Sequence, residues 1–221
     1  AYDKQYVLEA SGYNKISSIN NGLENAGIGE LLNAFSEKLI LYQDANYAKH
    51  YRKIMDSVSA QFGDTIISQK SAKALFRAMA IKDEYEVARL MLSPTFEQTL
   101  KSKFGNSRPS SYYLAPPFLS FLKDANGFPR KVRFGSWVRT IFWVLTKLKS
   151  LRGTAFDPFA HSRERKLEVS FRAALITKLS NPKKLMQMPE KLEAQLDAAL
   201  NVKGYGHVKK KSLEAAILAL N

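Results

Sequence analysis

The chain has 221 residues, 45% of them hydrophobic and 24% charged, which lies in the globular range and allows one substantial core or two small ones. It has no cysteine, so it supplies neither disulfides nor the thiolates that hold iron–sulfur clusters and structural zinc, and its three widely spaced histidines make a poor metal site. Thirty-four Lys and Arg against 20 Asp and Glu give a formal charge of +14, a field that attracts an acidic protein, an anionic cofactor or nucleic acid and that salt weakens.

Residues 1 to 29 are rich in Ser, Asn and Gly and read as a linker or entry arm, with one helical domain expected over 30 to 221. From Glu30 to about Ala60 the residues Leu31, Leu32, Phe35, Leu39, Tyr42, Tyr47, Tyr51, Ile54 and Val58 recur at mostly three- and four-residue spacing, which predicts one long helix. A second helical stretch is expected from Ser68 to Leu92, ended by Pro94, which starts a shorter helix. Residues 107 to 135 are rich in Pro and aromatics. There Asn126-Gly127 suits a tight turn between extended pieces around SYYLAP and PRKVRF. Helical patterns resume at Ser136 to Leu151, Ser162 to Leu179, Pro182 to Leu200 and His207 to Leu220. The expected fold class is therefore mainly α, a multi-helix globular domain with a small hairpin-like excursion, and no fixed-period repeat suggests a solenoid. The longest apolar runs, IFWVL and AAILAL, are far too short to span a bilayer, so the chain is read as cytoplasmic, without a membrane.

Familiar chemical motifs fail on inspection. Gly27-Ile28-Gly29 has Leu32 where a dinucleotide fingerprint needs its third glycine, and Gly204-Tyr205-Gly206 has Lys209 there. No Walker ending and no Gly-x-Ser-x-Gly elbow is present. In KDEYEVAR, helical spacing pairs Lys82 with Glu86 and Tyr85 with Arg89, and clustered catalytic carboxylates are the sharper reading. Asp157 followed by Pro158 suits a helix cap and its first residue.

The most unusual composition lies between Phe128 and Gly153. Arg130, Lys131, Arg133, Arg139, Lys147, Lys149 and Arg152 occur there without an acidic residue, interleaved with Phe134, Trp137, Phe142 and Trp143. Such a segment can bind phosphates, or it can be an amphipathic helix with its aromatic side in the core and its cations solvated. The same two readings apply to Lys209, Lys210 and Lys211.

Several blocks in order, LILYQDANYAKHYRKI (39 to 54), LFRAMAIKDEYEVARL (75 to 90), YYLAPPFLSF (112 to 121), and PRKVRFGSW through LKSLRGTAFDPFAHSRERKLE (129 to 168), resemble the C-terminal domain of bacterial fused indolepyruvate ferredoxin oxidoreductases. YGHVKK (205 to 210) approximates a further element of that family, with Tyr205 in place of the usual Phe. The resemblance implies a parent enzyme that oxidatively decarboxylates aryl 2-oxoacids using thiamine diphosphate and coenzyme A, passing electrons through iron–sulfur clusters to ferredoxin. It places those cofactors upstream, with none and no metal expected in this segment. Here Gly63-Asp64 is followed by Thr65 rather than the glycine of a thiamine-diphosphate motif.

Two roles follow as expectations. In the first the segment is a structural or docking element that meets the remaining domains of its parent, a second copy or ferredoxin, with Arg130, Lys131, Arg133, Arg139 and Lys149 as the partner-binding cations. In the second it closes over the cofactor site and contributes Glu84, Glu86, Arg89, Arg152 or Asp157 to catalysis. A nucleic-acid-binding helical domain is the third reading; it rests on charge alone and the family resemblance opposes it.

Overall fold

The computed structural model describes Leu23, residues 26 to 105 and 111 to 114, Gly127, and residues 130 to 181, 185 to 202 and 206 to 220, with the side chains of 104 and 206 to 208 excepted. Nine α-helices and one two-stranded antiparallel sheet make up the described chain, which is mainly α as expected. It divides into two compact units. One is continuous, Asp83–Ser150 in its described part; the other joins Gly22–Lys82 to Leu151–Asn221 and is therefore discontinuous in sequence.

The discontinuous unit holds α1 (Ile28–Tyr42), α2 (Ala45–Phe62), α3 (Ile66–Met79), α7 (Arg163–Leu179), α8 (Pro189–Leu200) and α9 (Gly206–Leu220). The single helix expected over 30 to 60 is two helices. Asp44 breaks it by turning its side chain onto the Tyr47 amide at 2.8 Å, which caps α2 and satisfies one of the donors that a helix start leaves without a partner. At the start of α1 that service comes from elsewhere in the chain: Asp64 Oδ2 accepts from the Ile28 amide at 3.1 Å. A Cβ on Gly27 would sit 3.0 Å from that oxygen, so the absence of a side chain at Gly27 lets the carboxylate close in.

Helix α3 lies at the centre of this unit, packed against α1, α2, α7 and α8. Its sequence suits that position: Ser68, Ser71, Ala72, Ala74 and Ala78 are small and buried, while Leu75, Phe76 and Met79 fill the remaining space. Phe76 stacks on Phe35 of α1 with ring centroids 4.3 Å apart. Tyr51 of α2 is wholly buried and its hydroxyl donates to the Ala72 carbonyl at 3.2 Å. Long side chains then tie helix ends together. Lys70 reaches Glu193 and Asp197 of α8 at 2.7 and 2.9 Å, and Arg77 donates to the Leu200 carbonyl at that helix's C-terminus. Lys178 does the same for α9 at Leu220. The helix expected from Pro182 begins at Pro189, whose fixed φ and missing N–H suit a first helical position; residues 182 to 184 lie outside the described residues.

The continuous unit holds α4 (Glu84–Met91), α5 (Pro94–Phe104), β1 (Ser111–Leu114), β2 (Val132–Gly135), α6 (Val138–Lys147) and a 3-10 turn over Leu148–Leu151, whose last residue belongs to the other unit. Here too an expected helix is split, since the stretch from Ser68 to Leu92 stops at Met79 and restarts at Glu84. The buried Asp83 side chain accepts from the Glu86 amide at 2.8 Å and sets the new start. Ser93 caps α5 in the same way, with Pro94 at the first position. The strands pair Ser111 with Gly135 through to Leu114 with Val132. The chain between the paired ends therefore runs from 115 to 131, much longer than the two-residue turn expected at Asn126-Gly127. Gly127 does take a left-handed φ of 78°, and Asn126 lies outside the described residues.

The core of this unit gathers Ala88 of α4, Tyr112 of β1, and Val138 and Phe142 of α6, with Met91, Leu92, Leu114, Phe134 and Leu145 packed around them. Tyr112 meets Phe142 edge to face at 5.6 Å.

Candidate functional site

Within the continuous unit, Glu86 and Arg89 form a two-bond fork, Nε to Oε2 at 2.7 Å and Nη2 to Oε1 at 2.6 Å. Glu86 is buried and Arg89 half-buried, so each satisfies the other in place of water. Lys82 precedes α4, so the helical spacing from which its pairing with Glu86 was expected does not apply to it. Glu84 stands in the first turn of α4, where a carboxylate complements the helix dipole.

Arg152 and Asp157 belong to the discontinuous unit. The Arg152 guanidinium lies 3.7 Å over the Tyr42 ring and donates to the Tyr42 carbonyl and to Gln43 Oε1, both at 2.6 Å, closing the C-terminus of α1. Asp157 is buried but caps no helix, contrary to expectation. Its oxygens accept from the Gly153 amide at 2.9 Å and the Phe159 amide at 3.0 Å, fixing an irregular turn, and α7 starts later with Ser162 as its cap. Gly153 has a φ of 75°, the left-handed conformation that this turn needs.

A further polar group in the same unit was hidden from sequence reasoning. Buried Glu168 of α7 receives Lys209 of α9, while Arg165 Nε stands 3.8 Å from its other oxygen. Burial, and then repulsion from Lys209, hold the Lys82 ammonium below its ordinary pKa. On the same helix Arg172 donates to the Tyr47 hydroxyl at 3.2 Å, and that hydroxyl donates to the Met79 carbonyl at 2.9 Å. Lys209 is thus tied to a buried carboxylate rather than solvated, and Lys210 faces Glu214 at 3.8 Å. Among the described residues no group of His, Asp and Glu is arranged to hold a metal ion.

The basic and aromatic segment has a different character. Arg130, Lys131 and Arg133 are exposed, and Arg133 lies opposite exposed Tyr113 on the outer face of the hairpin. Arg139 is set apart from them: it donates to Glu97 of α5 at 2.6 Å and to the Tyr112 hydroxyl at 3.3 Å, which ties it into the fold. Lys149 is half-buried. The aromatic side of α6 does not all enter the core. Val138 and Phe142 do, whereas Trp137 and Trp143 are 58% and 57% exposed. Trp137 rests edge to face against Phe134 at 5.9 Å, and a Cβ on Gly135 would come within 3.0 Å of its ring. Lys147 stands 5.7 Å over the Trp143 ring.

This chain belongs to DUF6537, a family of unknown function whose profile matches residues 28–221. No curated protein and no solved structure matches it significantly. No helix among the described residues is long and apolar enough to cross a membrane.

Proposed function

We propose that the chain is a cytoplasmic docking domain of an indolepyruvate-type ferredoxin oxidoreductase, bringing acidic ferredoxin to a parent enzyme that carries thiamine diphosphate and the iron–sulfur clusters in other domains. The observation that carries this reading is the exposed trio Arg130, Lys131 and Arg133 in a stretch from Phe128 to Gly153 that contains no carboxylate. Such a surface raises the encounter rate with an acidic protein and costs the enzyme nothing at its reacting centre. The resemblance of the ordered sequence blocks supports this choice of parent. Glu86, Arg89, Arg152 and Asp157 have structural partners that account for their positions, which weighs against a catalytic role.

Replacing Arg130, Lys131 and Arg133 together by Glu in the parent enzyme is expected to slow ferredoxin reduction and flatten its salt dependence while aryl-pyruvate decarboxylation continues. Arg139 is left intact because its loss would disturb the fold. Equal loss of both activities, with cofactors retained, would instead favour a segment that closes over the active site.

A further inference from the structure

Trp137, Ile141, Val144 and Leu148 follow the four-three-four spacing of a single helical face, and all four are exposed, at 58%, 44%, 41% and 39%. Side chains of this kind normally enter a core, and on α6 the core is already supplied by Val138, Phe142 and Leu145 on another face. The stripe is therefore a second apolar face. Both tryptophans of the chain are exposed on this helix, and Trp is the residue type most concentrated at energetic centres of protein interfaces.

Size and charge narrow the occupant. The eleven steps of 1.5 Å from Trp137 to Leu148 make the stripe about 16 Å long and roughly 10 Å wide, small beside the ~800 Å² that each side of a standard stable interface buries. It suits the centre of a transient contact. A second copy of this chain would bring the same cations and another net charge of +14 to the contact, which opposes pairing. The exposed cations Arg130, Lys131 and Arg133 lie just before Trp137 in the chain, and Phe134 joins that strand to the Trp137 ring. An apolar centre beside a cationic rim calls for a partner with the complementary surface.

We propose that this face docks a small acidic electron-carrier protein, seating an apolar patch of the partner on the Trp137 to Leu148 stripe and its carboxylates on Arg130, Lys131 and Arg133. This rests on the ferredoxin-docking reading above and adds to it that the apolar stripe sets the lifetime of the contact, whereas the cations set the encounter rate.

Trp137 stands on this face and Trp143 on another side of the helix, so the indole emission of a Trp143→Phe chain reports on the face directly. Titration of that chain with an acidic bacterial ferredoxin at low salt is expected to shift that emission to shorter wavelength and to protect it from acrylamide quenching. Trp137→Ser and Ile141→Ser should each weaken ferredoxin binding by calorimetry at least about tenfold, with circular dichroism unchanged. Ferredoxin binding that leaves the emission and both variants unaffected would overturn the stripe proposal while sparing the docking reading. No binding even at low salt would remove both. Concentration-dependent dimerisation abolished by Trp137→Ser, or co-sedimentation with phosphatidylglycerol vesicles equal to that with ferredoxin, would hand the stripe to another occupant and refute the proposal.

Discussion

Glu86→Gln separates a structural from a catalytic role for the KDEYEVAR segment, because the substitution keeps shape and removes charge. In the native chain both carboxylate oxygens accept from Arg89, at 2.7 and 2.6 Å, and the Glu86 side chain is almost fully buried. In the variant one acceptor becomes an amide NH₂ facing an Arg donor, so one bond is lost and two donors are opposed. A hydrogen bond to a charged group contributes about 1.5 to 3 kcal/mol. The Arg89 side chain is 30% exposed, so water recovers part of this, and we expect a loss of roughly 2 kcal/mol. Urea denaturation followed by circular dichroism measures it. The double variant Glu86→Leu with Arg89→Met removes both charges and is expected to return to within about 1 kcal/mol of the native chain. A Glu86→Gln chain as stable as native, in a parent enzyme whose decarboxylation has collapsed, would refute the structural assignment.

Three further outcomes are expected. The Ser71 hydroxyl is buried on α3 with no hydrogen-bond partner among the described residues, so Ser71→Ala should stabilise the chain by about 1 kcal/mol in the same denaturation assay. Burial pushes the Tyr51 hydroxyl well above the ordinary tyrosine range, so in alkaline difference spectroscopy it should stay silent until the chain unfolds. Tyr51→Phe, which removes its bond to Ala72, should cost about 1 kcal/mol. Burial first, and Lys209 second, lower the Lys82 pKa from its ordinary 10.5, so the folded state penalises the charged ammonium at neutral pH. That penalty fades as pH rises through the lowered pKa towards 10.5, and stability gains there. Lys209→Ala should move the Lys82 titration, followed by NMR of its side-chain carbons, upward; a downward movement would contradict the assigned repulsion.

The helices were legible in the sequence where apolar spacing and breakers agreed, as for α7, which runs from Arg163 after the Ser162 cap to Leu179. The two missed breaks arose because spacing alone runs through them: Leu39, Tyr42, Tyr47 and Tyr51 continue an apolar series across Asp44. The caps were nonetheless written in the residues, most clearly in Asp83 with Glu86 three positions later, the spacing of a capping box. Asp157-Pro158 carried the same signal and misled, because its oxygens are used by the Gly153 and Phe159 amides. The exposed tryptophans were beyond sequence reading for a different reason. Helix α6 is apolar on more than one face, and only its packing against α4 and Tyr112 selects Val138 and Phe142 as the inward pair.

The discontinuous unit also imposes an order of events during synthesis. Helix α3 leaves the ribosome before α7 and α8, which form part of its enclosure, and all of Asp83–Ser150 must be made in between. At about 5 to 20 residues per second that delay lasts roughly 3 to 14 s. Throughout it Leu75, Phe76 and Met79 have only α1 and α2 to cover them, while the intervening unit already has its own core to form around Tyr112 and Phe142. The nascent first third of the chain is therefore the stretch on which a chaperone that recognises exposed apolar helices should act, and its hold should end when α8 brings Glu193 and Asp197 to Lys70.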